Sequence, residues 1–127
     1  MKRLILLLVL IPTLVLADYD IKILSVYDGD TITADVNVGF DIILTKQKIR
    51  LLYINAPEIR GASKEEGKKA RAHLLTLLKL DTGKHQLRLD PKEKHRDSFG
   101  RILGVIIVDG EAINLKMVED GHAERFK

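Results

Sequence analysis

The chain has 127 residues, which is enough for one small domain with a single core and too few for two domains. It contains no cysteine, which excludes a fold held by disulfides. The formal net charge is only +3, so the basic pI does not identify a partner. The charge is unevenly spread, however, with −5 over residues 18–45 and +8 over residues 46–101. An acidic region beside a basic one suits a metal site that acts on a polyanion, although a mixed, solvated surface gives the same pattern.

The first residues have the pattern of a signal peptide. Lys2 and Arg3 precede an apolar run at 4–16, and Ala17 is a small residue at a position that a signal peptidase reads. The run is shorter than the roughly 20 residues that span a bilayer, and a retained N-terminal anchor is the alternative. We expect residues 1–17 to be a signal peptide and residues 18–127 to be exported, secreted or held in the periplasm or envelope, without a membrane segment.

Three strands are predicted in the first half of the exported part. Apolar and polar residues alternate over 21–27 and again over 32–38, and residues 28–31 form the turn between them. A third strand is predicted over 42–44 and 48–54. Its second part is almost continuously apolar after Arg50, so we expect it to be buried on both faces. Pro57 then ends the strand, because proline cannot donate to a sheet ladder.

An amphipathic helix follows. Ser63 and Glu66 have the spacing of a capping box, and Ala70, Leu74 and residues 77–78 form an apolar stripe at helical spacing. Residues 81–83 are expected to stop the helix near residue 80.

Two further strands are predicted over 85–90 and 102–108, with a hairpin turn at 109–110. Asn114 is expected to cap a short helix that ends near Asp120. The predicted fold is therefore mainly β (α+β): a five-stranded OB-fold Greek-key barrel with a helix between strands 3 and 4 and a short C-terminal helix. The pattern also allows a small α+β sandwich.

The turn at 28–31 carries one carboxylate more than a turn requires. A hairpin needs a single Asp-Gly pair, but here both Asp28 and Asp30 flank Gly29. Two carboxylates that lie close together repel each other unless a cation sits between them, and hard divalent cations prefer carboxylate oxygen. The turn is a candidate metal site, and an acidic turn without metal is the alternative.

Three other charged residues stand in unusual places. Arg50 lies in an otherwise apolar strand, where a charge is costly unless it is paired or functional. Glu58 follows the stiff Pro57, and Arg101 opens the most apolar strand of the chain. Each of them, taken alone, is equally well explained as a loop or strand-edge residue.

Together these segments resemble the staphylococcal nuclease (thermonuclease) family. The matching stretches are 26–31, 49–58, 96–101 and 108–121, in the same order and spacing. The resemblance implies an OB-fold barrel and a Ca²⁺-dependent endonuclease that cleaves the phosphodiesters of DNA and RNA. It gives no sign of a stable protein partner, and a monomer is expected.

The resemblance also implies a role for each site residue. Asp28 and Asp30 correspond to metal carboxylates, and the carbonyl of Ala56 to a further ligand. Asn55 stands where the family has a metal-binding aspartate; its amide oxygen can still coordinate Ca²⁺, but one negative charge is lost, so weaker or altered metal binding is expected.

The catalytic roles fall on Glu58, Arg50 and Arg101. Glu58 corresponds to the general base or water-orienting group, and the two arginines to the groups that grip the phosphate. Phe99 replaces a tyrosine that is common in the family, and its ring can still stack on a base.

Two other functions remain open. The first is a binding module, in which the same barrel holds nucleic acid without cutting it. The second is a structural OB barrel that binds another protein or a sugar.

Overall fold

The computed structural model describes residues 3–8 and 17–126. Regular structure begins at Asp18 and runs to Arg125. The elements in chain order are β1 (Asp18–Asp28), β2 (Thr31–Asn37), β3 (Ile43–Leu51), β4 (Ile54–Asn55), α1 (Lys64–Leu78), β5 (His85–Arg88), β6 (Ile102–Val108), β7 (Glu111–Ala112), α2 (Ile113–Glu119) and β8 (Glu124–Arg125).

Five of these strands close into a barrel. The hydrogen-bonded order is β3-β2-β1-β5-β6, with antiparallel neighbours throughout, and β7 extends the sheet beyond β6. The barrel closes because β6 also pairs with β3, in parallel, where Ile49 lies opposite Ile102. Helix α1 lies between the third and fourth long strands, as in an OB fold. The predicted fold is confirmed.

The core fills the barrel and continues under both helices. Ile32, Ile49 and Ile106 from the strands are fully buried, and Leu74 of α1 and Met117 of α2 join the same apolar cluster. The alternation over β2 predicted this inward-facing row. Both helices are therefore anchored by apolar burial rather than by their intrinsic preference.

The third strand differs from its prediction. It is continuous from Ile43 to Leu51, whereas the prediction placed a gap at 45–47 and an end at residue 54. Tyr53 has a positive φ of 69°, which no regular strand accepts, and the backbone turns there before β4 begins. Lys48 is exposed, so the strand is not buried on both faces. Arg50 consequently lies near the end of β3, where the chain turns away.

Ser63 occupies the N-cap position of α1 as predicted, but neither Ser63 nor Asn114 makes the predicted capping bond, and the N-cap of α2 is Ala112. The Ser63 hydroxyl donates to the carbonyl oxygen of Glu58 at 3.0 Å and makes no cap bond, and α1 ends at Leu78 with Lys79 in the left-handed region. Asn114 lies inside α2 and is buried. Its amide bonds the carbonyl oxygens of Leu52 and Gly104. The Ser63 hydroxyl bonds a carbonyl five residues earlier, whereas the Asn114 amide bonds carbonyls that are 10 and 62 residues away in the chain.

The predicted signal peptide lies mostly outside the described residues, which omit 1–2 and 9–16. Residues 3–8 are exposed and form no helix or strand. Among the described residues, the helices are too short or too polar to cross a membrane.

Gly67 allows α1 to approach the loop that carries Glu58. A Cβ added at Gly67 would lie 2.2 Å from the carbonyl oxygen of Glu58, a backbone atom that cannot swing aside. The absence of a side chain at Gly67 therefore determines how closely this loop packs on the helix.

We predict that Gly67→Ala lowers the free energy of unfolding by about 1–3 kcal/mol, because an overpacked contact forces a backbone shift. This loss appears despite the preference of helices for Ala over Gly, which is worth about 1 kcal/mol. Urea unfolding measures it, with the exposed neighbour Lys68→Ala as the control, expected within about 0.5 kcal/mol of the unmodified protein. A stabilised Gly67→Ala variant would contradict the packing described.

Candidate active site

The register of three strands brings the acidic turn and the first arginine together. Asp28 of β1 lies opposite Thr31 of β2, and Thr31 lies opposite Arg50 of β3. These three residues thus form one row across the sheet. The row explains why residues that are 22 positions apart in the chain meet at one site.

Asp30 is the most connected residue of the site. It is 5% exposed, and its Oδ2 accepts from the backbone N–H of Ala56 at 2.8 Å and lies 3.3 Å from Nη2 of Arg50. Its Oδ1 accepts from the hydroxyl of Thr31 at 3.1 Å. A buried carboxylate is tolerated only when it is paired and hydrogen-bonded, and these three donors meet that condition.

Asp28 lies beside Asp30 in a less favourable environment. Its Oδ1 accepts from the backbone N–H of Asp30 at 3.1 Å. Burial raises the pKa of Asp28 to about 6, and repulsion by the Asp30 carboxyl and hydrogen bonding with it add to the effect. The pair therefore holds a proton more readily than two separate aspartates, as expected of two carboxylates without a cation between them.

Arg50 is fixed from several directions. Nη1 donates to the carbonyl oxygens of Leu51 at 2.7 Å and Ile54 at 3.0 Å, and Nη2 donates to Oδ1 of Asn55 at 3.3 Å. With Asp30, these contacts hold the guanidinium in a single orientation beside the acidic pair. These contacts engage both Nη groups, so the guanidinium presents a fixed positive charge beside the acidic turn, and Nε is the nitrogen without a bond to residues 3–8 or 17–126.

Arg101 precedes β6 and is held by Asp97. Nε of Arg101 donates to Oδ2 of Asp97 at 2.7 Å, and Oδ1 of Asp97 accepts from the backbone N–H groups of Phe99 and Arg101. Burial alone would raise the pKa of Asp97, but the bonds from Arg101 and Phe99 hold it below its usual value. The exposed Phe99 ring lies 5.3 Å from the Arg101 guanidinium carbon.

A cavity of about 400 Å³ joins the two arginines. Arg50 and Arg101 both line it, and Tyr53, Leu103 and Phe126 provide apolar walls. Glu93 and Asp97 also line the cavity, and Asp97 is paired with Arg101. The two guanidinium groups and the aromatic walls suit the phosphate and the base of a nucleotide, whereas the carboxylate of Glu93 opposes an anion there.

Glu58 lies on the loop two residues after Ala56, and its side chain is exposed. Within the described part of the chain it takes part in no ion pair. Its placement depends on close packing on both sides. A Cβ at Gly29 would lie 2.7 Å from the Cβ of Ala56, so the acidic turn, the Ala56 loop and α1 all meet through small residues.

The structure thus brings together five of the predicted site residues by direct contact: Asp28, Asp30, Arg50, Asn55 and Ala56. Arg101 reaches them through the shared cavity, and Glu58 lies next to Ala56 on an exposed loop. Over residues 3–8 and 17–126, no group of three or more His, Cys, Asp or Glu side chains could hold a metal ion.

Two contributors were not assigned a role from the sequence. Thr31 was read as a turn residue, and its hydroxyl proves to bond Asp30. Asp97 lies in the stretch 96–101, but no role was assigned to it. An Asp two residues before Phe99 and four before Arg101 nevertheless has the spacing of an Asx turn. Arg96, the first residue of the stretch 96–101, bonds the side chain of Gln47 and the carbonyl oxygen of Gly100.

Comparisons with known proteins agree with this arrangement. Residues 48–127 match the family model described as staphylococcal nuclease homologue. The match includes Arg50, Glu58 and Arg101, whereas the acidic turn precedes it.

Three curated relatives are each 29% identical to the chain. They are the SPbeta prophage-derived endonuclease YokF of Bacillus subtilis (82% of this chain, 33% of the relative), an uncharacterized endonuclease of Haemophilus influenzae (84% and 52%) and the endonuclease YncB of Bacillus subtilis (76% and 43%). The chain therefore spans between a third and about half of the length of these relatives. Because the family model matches more than half of the chain and the barrel is of the same type, the chain belongs to the staphylococcal nuclease family.

Proposed function

We propose that the chain is an exported, Ca²⁺-dependent endonuclease that hydrolyses the phosphodiester bonds of DNA and RNA. One observation carries the proposal: Arg50 contacts Asp30 and Asn55 at 3.3 Å each, which places the positive charge of a guanidinium directly beside the acidic turn. The names of the curated relatives, all endonucleases, support the reaction class. Export is inferred from the basic and apolar residues that begin the chain.

The donor set of the acidic turn fits a hard divalent cation. All the available ligand atoms are oxygens: the carboxylates of Asp28 and Asp30, the amide oxygen of Asn55 and the backbone carbonyl of Ala56. Burial and, after it, the like charge of Asp30 raise the pKa of Asp28, and a bound cation would offset both. With two carboxylates rather than three, we expect water to complete the coordination and the affinity to be moderate.

Each site residue has a separate role in the proposed reaction. Arg50 and Arg101 bind the non-bridging oxygens of the phosphate, whose negative charge grows as water adds to phosphorus. Glu58 orients the attacking water and accepts its proton, while the bond from phosphorus to the departing ester oxygen breaks. A bound Ca²⁺ supplies further positive charge to the same phosphate oxygens.

A second candidate is a nucleic-acid-binding module without cleavage. The observation in its favour is that the described residues hold no cluster of three acidic or histidine ligands, since Asn55 replaces the third carboxylate. The arginines and the groove would still bind a phosphate backbone in that case.

Cleavage of single-stranded DNA with Ca²⁺ or with EDTA distinguishes the two candidates. We expect cleavage in millimolar Ca²⁺ and none in EDTA. Arg101→Ala is expected to lower kcat about 10²–10³-fold, as for other lost transition-state donors, and Glu58→Gln about 10²–10⁴-fold. The exposed helix residue Glu65→Gln is the matched control and should retain full activity. Intact DNA binding without any cleavage in Ca²⁺ would establish the binding module instead.

The anchoring of Arg101 by Asp97 generates a separate prediction. Asp97→Ala frees the guanidinium, and we expect kcat/KM to fall about 10–100-fold, because a misplacement of about 1 Å can cost 10²-fold. Asp18→Ala is the matched control, since Asp18 forms a comparable pair with Arg88, Nε to Oδ1 at 2.7 Å, away from the site. Both variants lose an ion pair, but only the first should lose activity. Equal kcat/KM values for the two would refute the positioning role.

A further inference from the structure

Arg101 separates two grooves, and only one of them is used in the mechanism above. The first is the 400 Å³ cavity that also contains Arg50. The second, of about 340 Å³, is lined by Asp28, Arg101, Lys48 and Tyr27, with Ser25 and Thr33 between them. We call it the β1–β3 groove. Because both grooves reach Arg101, a phosphate bound there has open space for a polymer on both sides.

The β1–β3 groove follows the strand register away from the acidic pair. Ser25 lies opposite Thr33, and Thr33 lies opposite Lys48. This row adjoins the row of Asp28, Thr31 and Arg50. Lys48 and Arg50 are two positions apart on β3 and therefore project from the same face, about 7 Å apart along the strand. The ammonium group of Lys48 therefore lies about one nucleotide step away from a phosphate bound at Arg50.

Tyr27 faces this groove because of a β-bulge. Between Val26 and Asp28 the register advances two residues on β1 but only one on β2, so Tyr27 is the extra residue. Its side chain is half exposed beside Lys48. An exposed aromatic ring next to a lysine provides the two surfaces that single-stranded nucleic acid requires, a stacking plane for a base and a positive charge for the backbone.

Lys48 is available for a backbone phosphate. It is exposed and forms no ion pair within residues 3–8 and 17–126. Apart from Asp28, which is part of the acidic pair, the groove is lined by uncharged and basic residues. Its chemistry thus suits an anionic polymer more than a protein segment.

We propose that the β1–β3 groove is a second nucleotide subsite, in which Lys48 binds the phosphate next to the scissile one and Tyr27 stacks on the adjoining base. This inference rests on the proposed nuclease function and extends it. The enzyme holds a strand on both sides of the bond that it cuts, so internal sites of a single strand are its preferred substrates.

The test compares two substrates. A single-stranded DNA octamer fills both grooves, whereas the 3′- and 5′-methyl phosphodiesters of thymidine carry a nucleoside on one side only. For Tyr27→Ala and for Lys48→Met, the ratio of kcat/KM for the octamer to that for the methyl ester is expected to fall about 5–10-fold, because the first variant loses the ring that stacks on a base and the second loses the charge that binds a phosphate. Tyr27→Phe keeps the stacking ring and should restore the ratio.

Two matched controls lie on the same strand. Leu24 is also a bulged, exposed residue of β1, and Lys22 is exposed and lines a different cavity. Leu24→Ala and Lys22→Met should leave the ratio within about twofold, as substitutions outside the groove. In addition, Lys48→Met should reduce the slope of log KM for the octamer against log salt concentration by ~0.7, the value for one lost phosphate contact to a single strand. Tyr27→Ala should leave this slope unchanged.

The outcomes separate this proposal from the proposed function. Equal losses on both substrates, or no loss on the octamer, would overturn the subsite while leaving the nuclease in place. If the unmodified protein cleaves neither substrate, the nuclease function fails, and fluorescence anisotropy with a labelled octamer then decides the subsite. The subsite is supported if Tyr27→Ala and Lys48→Met weaken octamer binding about fivefold or more and the control variants do not. Unchanged binding in the two variants refutes it.

Discussion

The site depends on the buried carboxylate of Asp30. Its two oxygens accept from the Ala56 amide and the Thr31 hydroxyl and pair with Arg50, so one side chain joins the β1–β2 turn, the end of β3 and the loop after β4. Removing one partner of such a buried group leaves the other unsatisfied, which typically costs several kcal/mol. The same contacts that hold the barrel end together therefore also orient Arg50, the arginine that we propose binds phosphate.

This arrangement leaves the second carboxylate in an unfavourable position. The donors around the turn are taken up by Asp30, while Asp28 receives one backbone N–H and lies next to a like charge. Burial and, after it, this like charge raise the pKa of Asp28. The turn thus carries a destabilising negative charge at neutral pH, and the divalent cation that we propose would relieve it through its charge and its preference for oxygen. In our account, cation binding, phosphate binding and the stability of this barrel end are consequences of one local charge distribution.

Much of the fold and part of the candidate site could be predicted from the sequence. The alternation over β1 and β2 and the surplus carboxylate of the Asp28–Asp30 turn are local signals. The anchor of Arg101 was not predicted, because the role of Asp97 appears only when its loop folds back on itself. The Asn114 cap was mispredicted because its amide bonds the carbonyl oxygen of Leu52, 62 residues away, whereas the Ser63 hydroxyl is taken by the nearby carbonyl of Glu58. Local spacing cannot show where long-range pairing takes a polar side chain.

The most direct test of this account is the free energy of unfolding between pH 4 and pH 8, in EDTA and in Ca²⁺, for the unmodified protein and for Asp28→Asn. Because the folded-state pKa of Asp28, about 6, exceeds the unfolded value of 3.8, its stabilising contribution is present below pH 4 and is lost as the pH rises through 6. In EDTA we therefore expect Asp28→Asn to match the unmodified protein near pH 4 and to exceed it by up to about 3 kcal/mol at pH 8. Ca²⁺ should stabilise the unmodified protein at pH 8 and have little effect on the variant. Equal stability of the two proteins at every pH, with no effect of Ca²⁺, would contradict a cation site at this turn.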